Sequence, residues 1–269
     1  MSATKFFDEI PDDEELIQWI KAQYLFHVAT APLNDGHVNV SPKGQPSLKL
    51  INSKAIWYLD LTGSGNETIS HLYEPGNSRM TIVFEAFEGP PRILRLFGHG
   101  RVIERDDPEF DQLVNRELGA YGWPTPEVMP GARAIIWLNI DKVSISRGSS
   151  VPLFKFESHR DTLKKWSEKA EKTDSQYEDP YTLPPLKSLR SFWLHNNSWS
   201  VDGLPGYRHV LDKADEGFVR KAMSDVGLDY DYSLASRKGM PNWWLTLFVG
   251  VGVGVLLSTS LTLVMRVWA

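Results

Sequence analysis

Apolar and polar residues alternate in short runs between residues 25 and 147. Leu25–Thr30, His37–Val40, Leu48–Ile51, Ala55–Leu61, Met80–Phe87, Ile93–Glu104 and Ala134–Ser146 carry this pattern. A period of two puts successive side chains on opposite faces of a sheet, so each run predicts a strand. Turn residues separate them, most clearly Asn34-Asp35-Gly36 and Asn52-Ser53. The first of these is a strong hairpin signal. About six such strands with polar turns predict a mainly β fold, a closed or nearly closed antiparallel barrel. Strands and helices do not alternate over long stretches, which argues against a doubly wound sheet.

Helical periodicity interrupts the strands. Residues 1–20 predict a capped helix with Pro11 in its first turn, Asp12, Asp13, Glu14 and Glu15 at the positive end of its dipole, and a stripe of Leu16, Ile17 and Ile20. Glu67–Tyr73 and Pro108–Ala120 are further helices, the second with Phe110, Leu113, Val114 and Leu118 on one face. Arg160–Glu171 reads as a charged, solvent-facing helix, and Asp174–Pro185 as a loop. The expected organisation is an N-terminal helix over 1–24, a barrel domain with a helical extension over 25–210, a charged linker over 211–239 and a membrane tail over 240–269.

The tail has the clearest physical signature. Met240–Met265 holds no charged residue. As a helix, Trp243–Met265 would rise about 34 Å, enough to cross a hydrocarbon core. Trp243, Trp244 and Trp268 stand where interfacial aromatics belong. Arg237 and Lys238 precede the run and only Arg266 follows, which places the large domain in the cytoplasm. The expectation is a single-pass, tail-anchored membrane protein.

Composition narrows the chemistry. The net charge of -5 argues against nucleic-acid binding, which needs clustered Lys and Arg. The chain has no cysteine, which excludes disulfides, thiol catalysis and thiolate metal sites. The seven histidines show no metal-ligand spacing, so no metal is expected. No Walker A loop, HExxH or GxSxG is present.

Two polar clusters remain, HVNVSPKG (His37–Gly44) and YLDLTGSGNETISHL (Tyr58–Leu72). In the first, Asn39 and Ser41 share a face, Pro42 ends the ladder and Lys43 presents a cation at the rim. In the second, a strand runs into Thr62-Gly63-Ser64-Gly65, and Asn66 is placed to cap the next helix. Glycines let backbone N–H groups approach an anion, and a helix start adds donors. With Lys43 and Thr68, the pair suits a phosphate monoester. A plain glycine turn and a capped surface helix would carry the same residues.

The ordered motifs HVATAP (His27–Pro32), HVNVSPKG, YLDLTGSGNETISHL, FEGPPRILRLFGHGRV (Phe87–Val102) and NNSWSVDGLPG (Asn196–Gly206) resemble the pyridoxamine 5′-phosphate oxidase-like family of flavin-binding proteins. The resemblance spans about residues 10 to 210. It implies a six-stranded antiparallel split barrel, a homodimer, and FMN between subunits. Carried over by motif, Ser41, Lys43, Leu61, Thr62, Asn66, Glu67 and Thr68 hold the phosphate and ribityl chain, and Arg92 and Arg95 lie on the strand beside the flavin ring. A carboxylate such as Glu67 repels a phosphate unless it bonds ribityl hydroxyls.

Two departures matter. Ser146-Arg147-Gly148-Ser149-Ser150-Val151-Pro152 stands where this branch commonly carries Ser-Cys-Gly-Tyr-Gly-Val-Pro. The vitamin B6 enzyme's Arg-x-His is also missing, since Arg208 and His209 are adjacent. The resemblance therefore points away from pyridoxamine phosphate oxidation itself. It favours an FMN-dependent oxidoreductase and marks no side chain as acid, base or nucleophile, while the uncharged tail separately points to a membrane tether. The alternatives are a non-catalytic flavin or haem binding or sequestration module, and a tethered scaffold.

Overall fold

The computed structural model describes residues 3–44, 47–119, 130–177 and 187–211, all within one unit, Met1–Lys213. Eight strands and six helices follow one another among them. They are β1 (Lys5–Phe7), α1 (Glu14–Lys21), β2 (Leu25–Thr30), β3 (Asn39–Gly44), β4 (Leu48–Asn52) and β5 (Ala55–Leu61). Then come α2 (Glu67–Tyr73), β6 (Arg79–Glu85), β7 (Ile93–Glu104), α3 (Pro108–Gly119) and β8 (Ala132–Ser146). The described part ends with α4 (Thr162–Asp174), α5 (Leu189–Asn196) and α6 (Arg208–Leu211).

The strands form one antiparallel sheet in the order β3-β2-β6-β7-β8-β5-β4, with β1 paired to the far end of β8. Chain connectivity forces this sheet to curl. β3 and β4 stand at opposite ends of the order, yet only residues 45–47 separate them. That link reaches at most about 14 Å. Seven flat strands would hold their edges about 29 Å apart. The two edges must therefore turn toward each other, and Lys43 on β3 reaches Asp60 on β5.

Burial follows the curl. β2 and β6 alternate, with Phe26, Val28, Ile82 and Phe84 facing inward. β5 is buried on both faces. Ile56 and Tyr58 alternate there with Trp57 and Leu59, and the second pair packs with Ile103, Phe110, Leu113 and Val114 under α3. The register of β7 against β8 shifts at Phe97/Gly98. A Cβ on Gly98 would lie 1.9 Å from the Asn139 carbonyl oxygen, so the strands close only around glycine there.

Several expectations need correction. The sheet has eight strands and not about six: each of the seven alternating runs forms one (β2–β8), and Lys5–Phe7, inside the stretch expected to be helical, forms β1. That helix is short: Asp13 caps it through the amides of Glu15 and Leu16, and Pro11 lies before it. β3 begins two residues later than predicted and runs through Pro42. Proline fits because β3 is an edge strand, where a missing N–H costs no ladder bond. α4 is not wholly solvent-facing, since Ser167 and Ala170 are buried and Trp166 meets Phe192 edge-on at 4.9 Å. The predicted linker beyond Leu211 and the Trp243–Met265 span lie outside the described residues. No helix among the described residues is long and apolar enough to cross a membrane.

Candidate functional site

The two polar clusters meet at Asp60. Tyr58 and Asp60 share the inner face of β5, and the curl carries β3 across to them. The Asp60 carboxylate is 1% exposed. Lys43 Nζ donates to its Oδ1 at 2.7 Å and Arg133 Nε to its Oδ2 at 2.8 Å. Burial alone would raise the Asp60 carboxyl, but the charges and hydrogen bonds of Arg133 and Lys43 outweigh it and hold it below the usual carboxylate range. Two cations on one carboxylate leave one excess positive charge. Arg133 is buried, whereas the Lys43 side chain is 20% exposed and can reach a ligand.

The loop between β5 and α2 hangs on Arg133. Its Nη1 donates to the Gly63 carbonyl at 3.2 Å and its Nη2 to the Gly65 carbonyl at 2.7 Å. Asn197 Nδ2 donates to the Gly63 carbonyl at 2.8 Å and the Ser64 carbonyl at 3.4 Å. Ser64 and Gly65 are exposed. Thr62 turns inward: its hydroxyl donates to the Gly131 carbonyl at 2.6 Å and accepts from the Trp193 indole at 2.8 Å. Asn66 occupies the N-cap position of α2 without capping it: its Nδ2 donates to Ser70 Oγ, and its Oδ1 makes no capping hydrogen bond. Glu67 takes over in part, its Oε2 accepting from the Asn66 N–H at 2.9 Å. Leu61, half-buried, ends β5.

Beside Lys43 lies a hydrogen-bonded chain. Asn39 Nδ2 donates to Thr30 Oγ1 at 3.1 Å and Thr68 Oγ1 at 3.0 Å, and Asn39 Oδ1 accepts from Ser41 Oγ at 2.9 Å. Thr30 Oγ1 also meets His71 Nδ1 at 2.9 Å. Burial pushes the His71 pKa down, so the ring is neutral. Ser41, Thr68 and Lys43 thus stand on one connected inner surface.

The C-terminal segment laces this surface together. Asp202 accepts from the His37 backbone N–H at 2.9 Å and pairs with its ring at 2.6 Å. A hydrogen bond to Asp202, and its charge, raise the His37 pKa. Gly36 must be glycine: its φ is +103°, and a Cβ would meet Asp202 Oδ2 at 2.8 Å. Gly206 sits against Asn66, and the Tyr207 hydroxyl donates to the Arg133 carbonyl at 2.8 Å. Glu104 receives the amides of Arg208 and His209 and the Tyr73 hydroxyl, which ties down α6.

Arg92 and Arg95 do not join the Lys43 group within one chain. Arg92 donates to Glu15 at 3.0 Å and stacks over Trp19 of α1. Arg95 lies in the row Pro42, His27, Val83, Arg95, Ser144, on the outer face of the sheet. Ser41 and Lys43 are in register with the inward-facing Val28 and Phe26. Among the described residues, no cluster of three or more His, Asp or Glu could hold a metal. Asp60, Arg133 and Asn197 were not anticipated from sequence. The available signal was one Asp and one Arg, each alone in a strongly apolar run.

No family model matches the chain. A curated relative, the pyridoxamine 5′-phosphate oxidase family protein ustO of Aspergillus flavus, is 34% identical over 267 residues, covering 94% of this chain and 98% of that protein. Among solved structures, a putative pyridoxamine 5′-phosphate oxidase of Lactobacillus delbrueckii is 22% identical, with a TM-score of 0.35 over 51% of this chain and 94% of that one. HupZ of Group A Streptococcus is 19% identical, with a TM-score of 0.36 over 50% of this chain and 98% of that one.

Proposed function

Because the chain belongs to the pyridoxamine 5′-phosphate oxidase family, we propose that it binds FMN and acts as an FMN-dependent oxidoreductase. The supporting observation is the convergence on Asp60 of β3, through Lys43, and of the glycine loop, through Arg133. Lys43 and the exposed Ser64 and Gly65 peptides fit a phosphate group. Ser41 offers a hydroxyl to its ribityl chain, and Thr68, buried and bonded to Asn39, supports it from behind. FMN supplies the hydride or electron chemistry, and the chain binds and orients it. Glu67 bonds its own loop, so a carboxylate close to the phosphate is already partnered.

The protein acts as a homodimer in this reading. Val38 and Val40 are 73% and 61% exposed. Val40 shares the outer face with Ala29, in a row adjacent to that of Arg95. Exposed apolar residues at an edge strand invite covering, and a second copy would supply it. The uncharged run Trp243–Met265 tethers the protein to a membrane, with the domain in the cytoplasm.

Purification of the full chain in detergent tests the reading. The absorption bands of oxidised flavin and the mass of a dimer are expected. A colourless protein that added FMN does not restore contradicts it, and a Soret band replaces FMN by haem. Oxidation of NADH or NADPH by the yellow protein separates an enzyme from a carrier. Recovery of the protein in the soluble fraction, without detergent, sinks the tether.

A further inference from the structure

We infer that Arg133 is the positioning residue of the phosphate subsite, acting by turning the peptide groups of the glycine loop. This rests on the FMN reading and deepens it. Arg133 is 3% exposed, and its guanidinium is engaged by protein groups on all three nitrogens. An arginine needed only to neutralise Asp60 would use one edge. Here Nε serves Asp60, while Nη1 and Nη2 go beyond it to the Gly63 and Gly65 carbonyls.

The consequence follows from peptide geometry. The described chain contains no cis peptide. In a trans peptide the C=O of one residue and the N–H of the next point in opposite directions. Arg133 and Asn197 pull the carbonyls of Gly63, Ser64 and Gly65 inward. The N–H groups of Ser64, Gly65 and Asn66 are therefore turned away from the core. The third of these already holds an anionic oxygen, Glu67 Oε2 at 2.9 Å. Ser64 and Gly65 are exposed, so by the same peptide geometry their amides turn to the solvent side. Successive outward amides of this kind form a concave anion seat. The same guanidinium fixes Asp60, which holds Lys43, so one buried side chain sets both halves of the subsite.

Lysine at this position could keep the charge on Asp60 but could not fork to two carbonyls as well. The test uses the full chain, with flavin fluorescence quenching read against FMN and riboflavin, which differ only in the phosphate. Arg133→Lys is expected to lower the ratio of riboflavin to FMN dissociation constants by about tenfold, the loss of roughly one hydrogen bond to a charged group. Riboflavin affinity itself should stay within about twofold, a change of under 0.5 kcal/mol. A merely structural arginine would change stability and leave that ratio alone. If Lys43→Ala lowers the ratio and folded Arg133→Lys keeps the wild-type value, the positioning role is overturned while the site stands. If neither variant moves it, or the wild type shows no preference for FMN, the phosphate site itself is wrong and the inference falls with it. Should Arg133→Lys fail to fold, Asn197→Ala removes the second inward pull and carries the same expectation, and an unchanged ratio there is equally fatal.

Discussion

Asp60→Ala is expected to cost about 3–5 kcal/mol of folding stability, the usual penalty for breaking a buried ion pair from one side. The carboxylate is 1% exposed and receives two cations. Without it, Arg133 keeps its two loop carbonyls but carries an uncompensated charge at 3% exposure. Lys43 loses its anchor as well. The pH dependence has a definite sign. The folded-state pKa of Asp60 is depressed. Its contribution is therefore present above the ordinary carboxylate value of about 3.9 and is lost as pH falls through the depressed one. Urea unfolding at neutral and acid pH should show a gap between wild type and Asp60→Ala that narrows on acidification. A variant within about 1 kcal/mol of wild type at pH 7 would show that the pair does not hold the fold. Replacing the buried pair, Asp60 and Arg133, together by apolar residues should recover much of the stability, since the desolvation penalty disappears with the two buried charges. The glycine loop would still lose its staple.

The second large effect is expected at Gly206. Its φ is not in the left-handed region, so the demand for glycine is one of space. A Cβ there would lie 1.5 Å from Asn66 Nδ2 and 2.5 Å from the Asn197 carbonyl oxygen. Both neighbours belong to the candidate site, one at the start of α2 and one beneath the glycine loop. Gly206→Ala must displace one of them, at about 1–3 kcal/mol for overpacking a tight site. Thermal unfolding should occur at lower temperature, and FMN affinity should fall with it. Unchanged melting and unchanged affinity together would mean that the C-terminal segment does not press on the site.

Strand positions were largely legible because a half-buried strand advertises itself by alternation. β2, β5 and β7 have the bounds that the pattern predicts. β3 was blurred by Pro42, whose tolerance depends on edge position, a property of the assembled sheet. β1 has three residues and exists only because β8 is long enough to pair with it beyond the end of β5. α5 was missed because its eight residues mix polar and apolar types. It is held by contacts such as Trp193 with Thr62, 131 residues away.

The site divides in the same way. Lys43, Ser41 and Thr68 lie in local motifs, and local motifs can be read. Their supports are long-range. Asp60 alternates with apolar neighbours as an outward residue of a one-sided strand would, yet β5 is covered on both faces. A lone acid in Tyr58-Leu59-Asp60-Leu61 and a lone base in Ala132-Arg133-Ala134-Ile135 could have been paired by reasoning that neither charge is buried alone. Thr62 shows the reverse limit. Its motif suggests a ligand hydroxyl, but Gly131 and Trp193 take both its donor and an acceptor site.

Comparing FMN and riboflavin dissociation constants for the full-length wild type and Lys43→Ala goes straight to whether β3 and the glycine loop grip a phosphate. Wild type should favour FMN, and the variant should lose about 1–3 kcal/mol toward FMN while binding riboflavin as before. Equal affinity of the wild type for the two flavins, or a Lys43→Ala variant with undiminished preference for FMN, would contradict it.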